Sequence, residues 1–237
     1  MTICLILAGV FIASLVSSTS AALQGTAKWV PEDAYVVASV HLGKILEKSA
    51  YAETREWQPL LRQAEELFPD FAPLLEDPNA TGLNLRVPVR LFLRGGHEED
   101  DPIAFAAIFL VADKDKAAAT LASIAKKINL RERRDKGLKV YLATGKSIGV
   151  AIKGRTLAFV GVAPSVDKSI DPSDHVEQTA RAFLEAPVKT LPKPLETHLG
   201  QPADLALYLN GAGFAKLAHK YWPADRWNTL LPVFNTF

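Results

Sequence analysis

Cysteine is nearly absent from this chain of 237 residues: one occurs, Cys4. It lies in the N-terminal apolar run, so the chain beyond that run has no thiol for a disulfide, a nucleophile or a metal ligand. Charge of one sign is lacking too. Basic residues number 27 and acidic residues 26, which leaves no field to hold nucleic acid or an anionic membrane surface. Runs such as Arg131-Glu132-Arg133-Arg134 are short and read as a solvated strand end. Catalytic signatures are missing as well. There is no G-x-S-x-G, no G-x-x-x-x-G-K-[ST], and no H-E-x-x-H. His41, His175, His198 and His219 show no i, i+4 pairing, which argues against zinc.

No apolar run is long enough to span a bilayer comfortably, which takes ~20 residues. The longest, "ICLILAGVFIASLV" from Ile3 to Val16, is followed by "SSTSAA", with Ser20 and Ala22 in the small-x-small pattern of a signal-peptidase site. Residues 1–22 therefore read as a secretory signal peptide cleaved near Ala22. No Lys or Arg precedes the run, and the competing reading is an uncleaved N-terminal anchor, the one membrane association foreseen. Cys4 begins the run rather than following it, which is the wrong place for a lipid. Export without cysteine suits a bacterial periplasm or cell envelope.

Downstream, residues 34–42 alternate as a half-buried strand, with Val36, Ala38 and Val40 on one face and Val37, Ser39 and His41 on the other. Trp57, Leu60, Leu61, Ala64, Leu67 and Phe68 form a helical stripe. "RVPVRLFLRG" reads as a strand with Pro88 at its entry. "IAFAAIFLVA" is apolar on both faces and hence a central strand, antiparallel to it. Asp113 caps a helix carrying Ala117, Leu121, Ile124 and Ala125 inward. Three strands at 138–143, 147–153 and 155–162 are spaced too tightly for crossover helices, which makes them an antiparallel meander. Asp174 with Glu177 reads as the capping box of a helix burying Val176, Ala180, Phe183 and Leu184. The expected fold class is α+β, an antiparallel sheet with helices packed mainly on one face.

The chain also repeats itself. Residues 33–61, "DAYVVASVHLGKILEKSAYAETREWQPLL", and the segment from Asp204 to Phe234, "DLALYLNGAGFAKLAHKYWPADRWNTLLPVF", share an order. Each runs from an acidic residue through an apolar strand, a small-residue turn and a Lys-bearing helix to an aromatic and a Trp followed by Leu-Leu. Trp57 and Trp227 read as packing anchors. The expected organisation is a first α+β domain at 30–187, a Pro-rich linker at 188–202, and the truncated start of a second repeat of the same unit at 203–237. A strand and one helix cannot bury their apolar sides alone. The second copy is therefore expected either to continue beyond Phe237 or to pack back on the first domain's sheet.

"PEDAYVVASVHLGKILEKSAY", "DPNATGLNLRVPVRLFL" and "ADLALYLN" together resemble a family of exported bacterial proteins of unknown function, over roughly residues 30 to 210. Its members open on P-x-D-A-x-x-V-x-x-V, carry a later D-P-x-x-T-G-h-D-h-x-x-P, and are often lipoproteins. Here Asn84 stands where the pattern has Asp, and the cleavage point has no cysteine. The resemblance implies an envelope location and a repeated α+β architecture, and no chemistry.

Four stretches have the look of a site. In "GGHEEDDP", His97, Glu98 and Asp100 could take a hard cation such as calcium through oxygen ligands, although the spacing is not that of an EF-hand and a soluble charged hairpin loop explains it too. "NGAGFAK" opens a helix after a strand, but Lys216 stands at the third glycine position of a dinucleotide fingerprint, and two glycines easing a tight turn suffice. Ser123-x-x-Lys126 and Ser165-x-x-Lys168 lack the separated partners that a penicilloyl-serine enzyme needs. The functional expectation is an exported cell-envelope protein that binds or supports without catalysis. Its partner would be another envelope protein or a surface ligand, and no cofactor is expected. Two alternatives are a hydrolase or carbohydrate-active protein whose site converges only in three dimensions, and an assembly partner with an exposed strand edge.

Overall fold

The computed structural model describes residues 25–49, 59, 62, 77–95, 103–127, 129–143, 145–163, 171–213 and 215. Eight strands form one sheet: β1 (Val36–Val40), β2 (Val89–Arg94), β3 (Ala104–Leu110), β4 (Leu130–Asp135), β5 (Leu138–Ala143), β6 (Ile148–Lys153), β7 (Thr156–Val162) and β8 (Leu205–Leu209). Four α-helices accompany them among the described residues: α1 (Leu42–Lys48), α2 (Lys114–Lys127), α3 (Pro172–Glu185) and α4 (Lys193–Leu199). The strand order is β4-β5-β6-β7-β3-β2-β1-β8, and every neighbouring pair is antiparallel. The class is α+β.

The local chemistry explains most of the elements. Pro88 lies one residue before β2, where its missing N–H takes no hydrogen bond from the ladder. β3 sits between β2 and β7, as a strand apolar on both faces should. The tight turn from β4 to β5 is Lys136-Gly137, both at positive φ, as a two-residue hairpin requires. Asp113 Oδ1 accepts from the backbone N–H of Asp115 and Lys116 and so starts α2.

The cap of α3 lies three residues earlier than expected. Asp171 is the N-cap, its carboxylate accepting from the N–H and the hydroxyl of Ser173, and Pro172 occupies the first turn. Glu177 is thereby free to accept from Arg133 and Arg181 instead of reaching back to the cap.

Among the described residues, helices lie on both faces of the sheet. On the first face, α3 and α4 set Val176, Phe183, Leu184 and Leu195 against Val37, Phe92 and Val160, with the rings of Phe92 and Phe183 edge to face at 5.0 Å. On the second face, α2 sets Ala117, Leu121 and Ala125 on Tyr141, Val150 and Leu157. The reason lies in β5, β6 and β7, which are apolar on both faces and need cover on both.

The passage 188–202, read as a linker, contains α4, whose Leu195, His198 and Leu199 are buried. Its prolines stand at the helix start, where they are tolerated. After it, β8 adds to the edge of β1, with Val36 opposite Leu209, Ala38 opposite Leu207 and Val40 opposite Leu205. β8 is thus the edge strand of the same sheet.

Candidate functional site

Strand pleating divides the residues of each strand between the two faces, and the division sets up an unusual surface. The register carries one row of second-face residues across the sheet: Leu209, Val36, Leu93, Phe105, Gly161 and Ile148. A parallel row runs Leu207, Ala38, Leu91, Ala107, Phe159 and Val150. Among the described residues, α2 packs on part of the β5–β7 side of this face. Seven large hydrophobics are exposed among the described residues, and all lie on this face: Leu91, Phe105, Ile148, Phe159, Leu205, Leu207 and Leu209. Leu205 is 64 % exposed, Leu207 61 % and Phe105 48 %. The Phe105 ring occupies the space where a Cβ on Gly161 would go.

The two sheet edges are unlike. β4 reads LRERRD and carries charged side chains along its length, which discourages further pairing. β8 reads LALYL, has no charge and, among the described strands, pairs with β1 alone.

The first face holds a different feature where β1, β2, β8 and α4 meet. Arg90 is 5 % exposed. Its Nη2 donates to the Leu199 carbonyl at 3.0 Å, while its buried Nε and Nη1 have no hydrogen-bond partner. His198 is 7 % exposed, its buried Nε2 also lacks a partner, and its ring lies 5.7 Å from that of Tyr208. Burial pushes the Arg90 guanidinium down to about 10. Burial and then the charge of Arg90 lower His198. Burial, then Lys44 and Arg90, lower His41, with Asp204 opposing.

A third feature is an open cavity of ≈ 360 Å³ between the N-terminal segment and the end of α3, with Trp29, Glu32, Asp33, Arg94, Phe183 and Lys189 in its wall. Arg94 Nε donates to Asp33 Oδ2 at 2.9 Å, the Lys28 ammonium stands 5.0 Å from the Trp29 ring, and the buried Trp29 Nε1 has no partner.

Of the residues singled out in the sequence, His97, Glu98 and Asp100 lie outside the described residues, as do Trp57, Trp227, Ser165, Lys168 and Lys216. Among the described residues no group of three or more His, Cys, Asp or Glu side chains could hold a metal ion. Ser123 and Lys126 are exposed on α2. The start of "NGAGFAK" is a capped turn: Asn210 Oδ1 accepts from the Gly213 N–H at 3.2 Å, and the Tyr35 ring packs where a Cβ on Gly213 would go. That arrangement explains both polar cap and small residue without a nucleotide. Arg90 and His198 were not foreseen as a pair. The available signal was an arginine in the middle of the apolar strand "VRLFL", where a charge has no ordinary place.

The fold is therefore an α+β sheet with two unequal edges and exposed hydrophobics gathered on one face. One solved structure, that of TP0453 in its crystal form III, is similar to this chain over 82 % of its length and 67 % of that chain, at 13 % identity and a TM-score of 0.44. No family model matches the chain, and no curated protein matches it. No helix among the described residues is long and apolar enough to cross a membrane.

Proposed function

We propose that this chain is an exported cell-envelope protein that works as a binding or structural module without catalysis, and that its working surface is the exposed apolar part of the second face together with the outer edge of β8. The observation that carries the reading is the segregation of all seven exposed large hydrophobics onto that face. Single exposed apolar residues are ordinary on any protein, but contiguous ones mark a contact surface. The partner is a second polypeptide that adds a strand to β8. Backbone hydrogen bonds along the edge give it affinity, and apolar side chains laid against Leu205, Leu207 and Leu209 give it register.

Export rests on residues 1–22, and the envelope location also on the resemblance of the "PEDAYVVASV" and "DPNATGLNLRVP" motifs. The tandem repeat draws support from the surroundings of β1 and β8. The two strands run antiparallel about Ala38 and Leu207. The Asn210 N–H donates to the Tyr35 carbonyl and the His41 N–H to the Asp204 carbonyl, both at 2.8 Å. One residue after each strand a helical turn opens, at Leu42 and at Gly211. Matched bonds of this kind occur in any antiparallel pair, so the shared strand-turn-helix order is what supports the repeat.

The alternative of a hydrolase or carbohydrate-active protein draws on the cavity beside Trp29, where an aromatic ring and carboxylates meet. Asp33 is already bound to Arg94 there, which lowers its value as a general acid or base.

The test is site-specific photocrosslinking in the intact cell envelope, with the photoreactive residue at position 207, at 105, or at Glu185 on the exposed end of α3. The reading expects a discrete polypeptide adduct from 207 and 105 and none from 185. An adduct of twice the chain's mass identifies a second copy, and any other mass a different protein. No adduct, or equal adducts from all three positions, contradicts it.

A further inference from the structure

Among the described residues, the charge on Arg90 has no counter-charge. A guanidinium carries five N–H donors, and here one carbonyl, that of Leu199, takes one of them. Nε and Nη1 are buried and unpartnered. The carboxylate on this side of β1, Asp204, is paired with Lys48. Every other ionisable group felt by the two histidines is basic: Lys44 and Arg90 for His41, Arg90 for His198. Buried arginines are otherwise found with an anion, because removing the charge from water without one is costly. A water molecule could accept from Nε or Nη1 but would leave the charge uncompensated. An anion does both.

We propose that Arg90 is the centre of an oxyanion site where β1, β2, β8 and α4 meet, taking a carboxylate or phosphate group on its unused Nε and Nη1 donors, with His198 and His41 beside it. The orphaned Nε2 of His198 is a further buried polar atom at this corner, and its ring lies 5.7 Å from that of Tyr208. His41, less buried than Arg90 and His198, marks the side open to solvent. An anion bound here favours the protonated imidazoles that Arg90 alone disfavours. Binding therefore tightens as pH falls through the histidine range. The site is on the first face and does not rest on the reading of the second.

The experiment is calorimetric titration of the full chain with inorganic phosphate and, separately, with acetate, at constant ionic strength. One saturable site is expected for the wild type. A charged hydrogen bond is worth enough that Arg90→Met should weaken binding by roughly tenfold or more, while Arg131→Met, on the exposed β4, should bind as the wild type does. Tighter binding of phosphate assigns a phosphoryl ligand, and tighter binding of acetate a carboxylate. Should Arg90→Met fail to fold, the 15N-labelled wild type gives the answer: the Arg90 Nε–H resonance must shift saturably with the anion. No saturable binding, binding that survives Arg90→Met, or an unmoved Nε–H resonance overturns the proposal and leaves the guanidinium to water.

Discussion

Ser39 and Arg90 face each other across β1 and β2, and both are buried. The two histidines nearby make this corner sensitive to pH. His41 and His198 both titrate below their ordinary value in the folded chain, so between those lowered values and the unfolded value of about 6.5 the unfolded chain binds more protons. Stability conferred by the neutral imidazoles is complete above about pH 6.5 and is lost as pH falls through the folded values. Denaturant titrations at stepped pH should show this loss, and His198→Phe should reduce it. Glycines give a second prediction. A Cβ on Gly82, at φ 75°, would meet the Asp113 carbonyl and the Ala117 N–H at 2.6 Å, both backbone. The three heavy atoms nearest a Cβ on Gly161 all belong to the Phe105 ring, which is half-exposed and can swing away. Gly82→Ala should therefore cost about 2–4 kcal/mol, adding left-handed strain to overpacking, and Gly161→Ala under about 1 kcal/mol. Equilibrium unfolding of the two variants compares them. At this scale the sequence was legible where the rule is local, as in the Asp113 cap. It misled in β1. Alternation divided the strand correctly, but its more polar face, with Val37 and Ser39, is the buried one. Neighbouring strands and helices decide which face is covered, and no local pattern contains that information.

At the scale of elements, the segment with α4 departs furthest from expectation. Its prolines read as a linker, yet Leu195 is fully buried against the first face. Leu195→Ala should cost about 2–5 kcal/mol in equilibrium unfolding, as core truncations do; a value within about 0.5 kcal/mol would fit a loose linker. α3 is tied to the β4 edge through Glu177, which accepts from Arg133 at 2.7 Å and Arg181 at 2.9 Å. Burial alone would raise Glu177, but those two hydrogen bonds outweigh it and hold the carboxyl below its ordinary value. That contribution is present above the unfolded value and is lost as pH falls through the folded one, so Glu177→Gln should flatten the acid side of the stability profile. The meander β5–β7 and the central β3 were legible because their turns and two-faced apolarity are local signals. The joining of β8 to β1 was legible only as one of two options, because a strand's partner is chosen by the whole sheet.

For the whole molecule, the two faces have different fates. Among the described residues, α3 and α4 pack on the first and α2 on the second. The exposed hydrophobics of the second continue to an uncharged edge, while the opposite edge is guarded by β4. The surface was not legible as a site in the sequence, because Leu91, Phe105, Phe159 and Leu207 come from four separate strands and meet only through register. Leu207→Lys tests the surface without testing the fold. At 61 % exposure it should change stability by no more than about 0.5 kcal/mol, and it should remove the crosslinked adduct from position 105. The most direct measurement of the central claim is amide hydrogen exchange at Leu205–Leu209, read by mass spectrometry on the full chain both purified at low concentration and in isolated envelopes. Amides of β8 that point away from β1 should exchange fast in the purified protein and be protected in the envelope. Equal exchange in the two states would contradict the assignment of this edge as the working surface.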